Sequence, residues 1–95
     1  MKIKDLHSGD KPLSAKKFFA AEDGSVISLR ILKDGQLKEH TTKTPALLLC
    51  IKGEAVFKNE NGKEETLLPG DFVNIEPMVK HWVDANQDSD LILIK

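Results

Sequence analysis

The stretch "AVFKNENGKEETLLPGDFVNIEPMVKHWV", from Ala55 to Val83, alternates short apolar runs with the turn pairs Asn61-Gly62, Pro69-Gly70 and Glu76-Pro77. Asn-Gly suits a tight hairpin because glycine, and to a lesser degree asparagine, tolerates positive φ. The runs on either side are too short for helices and show no 3.6-residue period. They predict strands over Ala55–Asn59, Lys63–Leu67, Phe72–Ile75 and His81–Asp84.

The same rhythm continues toward the N-terminus. Asp23-Gly24, Asp34-Gly35 and Lys52-Gly53 separate further runs rich in Val, Ile, Leu and Phe. These predict strands at Ala15–Ala20, Ser25–Leu32, Gln36–His40 and Ala46–Ile51, and Leu91–Ile94 adds a last one. Turns recurring about every 8–12 residues mark an all-β sandwich or barrel. Ninety-five residues suffice for one domain, 1–95, with one modest core. Residues 1–12 read as a loose polar arm, with His7 in solvent.

Composition narrows the function. Hydrophobic residues make up 40% and charged residues 31%, an ordinary globular balance. With a net charge of −1 and no block of like charge, no basic footprint for nucleic acid is present. Aromatic residues are 5% with no Tyr, so base-stacking platforms are not expected either. No run approaches the roughly 20 apolar residues of a membrane span, and the first residues lack a signal-peptide core. Cys50 is the single cysteine. A cytoplasmic protein, with neither nucleic acid nor membrane as partner, is the expectation.

Two strands break the alternation of a half-buried sheet. "ALLLCI" and "LILI" are apolar at every position, so both faces ask for cover. A folded-back arm or a second subunit could supply it. Contiguous apolar surface usually marks association, and a homodimer is therefore expected, with Ala15–Ala20 exchanged or shared between the copies.

The histidines stand in an informative context. "GQLKEHTTKTPALLLCIKGEAVF" and "LLPGDFVNIEPMVKHWV" resemble the two motifs of the cupin superfamily, G-x5-H-x-H-x3,4-E-x6-G and G-x5-P-x-G-x2-H-x3-N. With Gly53 as the closing glycine of the first motif, its histidines fall on His40 and Thr42 and its glutamate on Ala46. Gly35 matches the opening glycine with one residue fewer between. In the second motif Gly70 and His81 match. Glu76 takes the proline slot with Pro77 after it, Met78 replaces the second glycine, and Ala85 replaces the asparagine.

The resemblance implies a cupin-type jelly-roll barrel of two antiparallel sheets, with a metal such as Zn, Mn, Fe or Ni inside it on the motif residues. Here His40 and His81 are the two surviving ligands of four, beside a weak hydroxyl on Thr42. Two neutral imidazoles without a carboxylate hold a divalent ion weakly. The pair reads either as such a site or as pocket residues holding a hydrogen bond or a small anion. Cys50 shares strand parity with Ala46 and faces inward, as a core residue or a soft ligand. The expected pocket is thus His40, Thr42, Cys50 and His81. Glu39 should face outward and Trp82 away from the pocket.

The expected function is binding of a small molecule or ion in the barrel. The alternative is a metal-dependent enzyme, an isomerase or oxygenase of small polar substrates, working through His40 and His81. No nucleophile–base pair or phosphate-binding glycine loop is visible.

Overall fold

A computed structural model describes residues 1–95. The chain forms nine strands: β1 Leu13–Ala21, β2 Gly24–Ile31, β3 Gln36–His40, β4 Ala46–Lys52, β5 Ala55–Asn59, β6 Glu64–Leu67, β7 Phe72–Ile75, β8 His81–Ala85 and β9 Ser89–Ile94. They build two antiparallel sheets, in the orders β1-β2-β9-β4-β7 and β3-β8-β5-β6. This is the jelly-roll architecture expected, and its nine strands match the predicted ones to within two residues at each end. The only helical turn is the 3-10 segment Ile3–Leu6.

Period-two alternation builds the interior. In β4, Ala46, Leu48 and Cys50 are buried while Leu47 and Leu49 are half-buried on the outer face. In β5 and β8, Ala55, Phe57, Val83 and Ala85 answer them from the opposite sheet. Leu29, Ile31, Leu67, Val73, Ile75, Leu91 and Leu93 complete one continuous core. Each such aliphatic or aromatic side chain contributes about 1.5–3 kcal/mol on burial.

The hairpin read at Asn61-Gly62 forms as expected, with Gly62 at φ 86°. The Asn59 side-chain oxygen accepts from the backbone N–H groups of Asn61 and Lys63, at 2.9 and 3.1 Å. At the far end of the chain, Arg30 on β2 donates to Asp90 on β9 at 2.9 and 3.4 Å. These two residues face each other across the ladder, so the ion pair fastens β9 to β2.

The N-terminal arm departs from expectation. His7 is not in solvent; it is 7% exposed. Its ring nitrogens bond the hydroxyls of Ser14 and Ser28, both at 2.8 Å. Just before it, the Lys4 carbonyl accepts from the Arg30 guanidinium at 3.5 Å. The arm is therefore pinned across the outer face of the five-stranded sheet. Ser28, under His7, is fully buried, and its ladder neighbour Ile92 is 7% exposed. Part of the cover that the all-apolar β9 asks for thus comes from the chain itself. Ile94, one ladder step on, stays 43% exposed.

A two-histidine candidate site

His40 ends β3 and His81 opens β8, and the ladder sets the two directly opposite each other. A register shift between Leu37 and His40 lets β3 bring its last residue onto that partner. Their rings meet edge to face with centroids 4.2 Å apart, and the Nε2 atoms are 3.1 Å apart. Phe57 stacks on His81 from within the core, at 5.7 Å between centroids. His81 is 1% exposed, whereas His40 is half-buried and forms the outer member of the pair.

The other ring nitrogens fix the tautomers. His40 Nδ1–H donates to the Lys38 carbonyl at 2.9 Å, and His81 Nδ1–H to the Val79 carbonyl at 3.3 Å. A carbonyl only accepts, so each Nδ1 carries the proton; the 3.1 Å Nε2···Nε2 contact then needs a shared proton or a cation between the two lone pairs, which would otherwise repel. Two lone pairs therefore converge on one point. Backbone carbonyls on the distal nitrogens are also the usual support of metal-bound histidines. Burial pushes the His81 pKa down, the Val79 bond works against that, and a charge on His40 lowers it further. Burial, the largest cause, and the neighbouring positive charges together favour a neutral, ligand-competent imidazole.

The fit to a metal ion can be judged from this geometry. Zinc–nitrogen bonds of about 2.0–2.1 Å at tetrahedral angles put two ligand nitrogens roughly 3.3–3.4 Å apart. The pair would have to open by only a few tenths of an ångström. A third strong ligand is missing: no three His, Cys, Asp or Glu side chains are placed so that they could hold a metal ion together. The two imidazoles would supply two nitrogen ligands to a divalent ion and leave its other positions unfilled by protein.

Thr42 lies in the β3–β4 loop, 6% exposed, and its hydroxyl oxygen is the single buried side-chain polar atom without a partner. Its carbonyl accepts from the Met78 N–H at 2.8 Å, which ties this loop to the turn before His81. Cys50 is not gathered into the site. It stands fully buried in the core, its thiol donating to the Lys52 carbonyl at 3.5 Å, and burial raises its pKa. Four residues beyond Ala46 on β4, it lies about 13 Å further along the strand. Glu39 is exposed and paired with Lys80 at 3.8 Å, and Trp82 is half-buried on a side opposite in parity to His81.

Four cavities indent the surface, and none is lined by His40, Thr42, Cys50 or His81. The histidine pair is packed rather than open. The N-terminal clasp of His7 escaped the sequence reading because its partners are 7 and 21 residues away. The serines flanking Ala15 and Ile27 carry no signal of their own.

The family model described as a cupin domain matches residues 29–94. The chain belongs to the cupin family. Solved structures agree on the fold. A cupin superfamily protein from Desulfitobacterium hafniense superposes with a TM-score of 0.87 at 13% identity, over 98% of this chain and 84% of the other. A cupin-2 domain containing protein from Shewanella frigidimarina gives 0.80 at 15%, over 100% and 92%. KdgF from Halomonas sp. gives 0.80 at 17%, over 93% and 82%. No functionally curated protein matches the chain. No helix in this cupin is long and apolar enough to cross a membrane.

Proposed function

We propose that this small cupin binds a divalent metal ion, Zn, Mn, Fe or Ni, between His40 and His81, with the remaining coordination positions left to water or a small polar ligand. One observation carries the reading: both Nε2 lone pairs converge at 3.1 Å while both Nδ1–H groups are spent on backbone carbonyls. When bound, the ion would supply a Lewis-acid centre. The chain's own part is to fix both ring orientations and to keep His81 neutral. Binding is the reading taken first because the two imidazoles supply ligand nitrogens, while no further carboxylate or thiol completes a metal-ligand group with them.

The test is metal titration of protein stripped by chelation, read by calorimetry and by metal content after dialysis. The expected result is weak binding of one ion per chain, lowered at least about tenfold by His40→Ala or His81→Ala. Thr42→His with Ala46→Glu should complete the family's ligand set and tighten binding by orders of magnitude. Wild-type protein that takes up none of these ions, or alanine variants that bind as well as it does, would overturn the reading.

A further inference from the structure

Beside the Arg30–Asp90 ion pair, a cavity of about 410 Å³ lies between the N-terminal arm and the barrel. That volume is within the range of small-molecule pockets. The arm supplies Lys4, Asp5 and Gly9 to its wall, while Arg30, Lys52, Asp88 and Asp90 come from the barrel. Leu32 is its single apolar residue, and neither histidine of the candidate site belongs to it.

Lys4, Arg30 and Lys52 bring three positive charges to this cavity, and Asp5, Asp88 and Asp90 three negative ones. Arg30 and Asp90 neutralise each other, since Nε and Nη2 of the guanidinium reach both carboxylate oxygens. Asp90 also faces Lys52 across the β4–β9 ladder, yet its oxygens are already taken by Arg30. Lys52 is thus left without an acid, and none of Lys4, Asp5 and Asp88 belongs to any ion pair of the chain. Asp88 is nonetheless held in place, because one of its oxygens accepts the Lys33 N–H at 2.8 Å. Two free cations and two free carboxylates therefore line one cavity, next to an ion pair that is already neutral.

A simple anion drawn to the lysines meets Asp5 and Asp88, and a simple cation drawn to the aspartates meets the lysines. Only a ligand carrying both charges gains from each pair. We propose that this cavity binds a small zwitterion of the α-amino-acid class, its carboxylate held by Lys4 and Lys52 and its ammonium by Asp5 and Asp88. Charge-assisted hydrogen bonds of this kind are the strong ones. A lining with one apolar residue suits a short polar side chain such as that of serine. Because part of the wall belongs to the arm, the bound molecule also fastens the arm to the barrel, alongside the His7 clasp.

In a nuclear magnetic resonance titration of isotope-labelled protein, L-serine should move the amides of Lys4, Asp5, Gly9, Lys52 and Asp88 in a saturable way. N-acetyl-L-serine, which lacks the ammonium, and L-serinamide, which lacks the carboxylate, should each bind at least about tenfold more weakly. K4Q/K52Q and D5N/D88N should weaken serine by a similar factor. All four positions are exposed, and D88N keeps an oxygen for the Lys33 N–H. In wild-type protein, hydrogen exchange of residues 3–10 should slow when serine is bound. No saturable shift at these amides overturns the proposal. So does either serine analogue binding as tightly as serine, which would make the cavity a plain anion or cation site. Serine binding left unchanged in both double variants overturns it as well, and so does an arm whose exchange serine fails to slow.

Discussion

His7 illustrates how much one side chain can hold in a small barrel. It pins the arm through two hydroxyls, and Ser28 has no other side-chain partner for its buried oxygen. Replacing His7 with alanine leaves that hydroxyl buried and unsatisfied, or lets the arm lift away. Either outcome should cost about 1–3 kcal/mol in chemical denaturation. Burial is the main cause lowering the His7 pKa from 6.5, with Arg30 and Lys16 adding to it and Asp90 opposing. The unfolded chain therefore binds the proton more tightly than the folded one. His7's contribution to stability is fully present above about pH 6.5 and falls as acid approaches the folded pKa. His81 is shifted in the same direction. The loss of stability between about pH 7.5 and 5.5 should thus be smaller in His7→Gln than in wild type, though not abolished. None of this was legible beforehand, because a histidine in a polar stretch looks the same whether its partners are distant serines or water. His40 and His81 were legible as a pair only through the spacing of a family motif. Their converging lone pairs depend on ring orientation, which the carbonyls of Lys38 and Val79 set.

Among the elements, the turns were the easiest to read because their chemistry is local. Gly53 shows why. Its φ is +89°, and a Cβ added there would overlap the Asp88 carbonyl and Ser89. Gly53→Ala should lower stability by more than about 2 kcal/mol, seen as a drop in melting temperature, from left-handed strain and overlap together. Strand positions were equally plain, since alternation and turn spacing do not depend on the partner strand. What covers a strand is another matter. "LILI" announced that both its faces would be covered, but not that the chain's own first residues would lie over the sheet beside Ile92 while Ile94 stayed exposed. Cys50 was read as inward-facing and is so, but parity says nothing about depth. Its place in the core, a good strand length beyond Ala46, separates it from the histidines.

At the scale of the molecule, strand order governs what the chain can lose. β9 lies between β2 and β4, and the core residues Leu91 and Leu93 come from it. Deleting residues 89–95 should leave no cooperative unfolding transition by circular dichroism. Removing residues 1–6 should keep one, because that segment contributes no buried residue. The order of strands also has a consequence for the order of events. The sheet is written from β1 to β9, yet it is assembled around β9. While a ribosome is still making residues 89–94, β2 and β4 have no common neighbour, and half of the barrel's interior faces water. Local hairpins such as β5–β6 can close early. The five-stranded sheet has to wait for Ile94 to leave the exit tunnel. Until that moment the apolar runs of β2 and β4 depend on whatever shelter the cell gives a nascent chain.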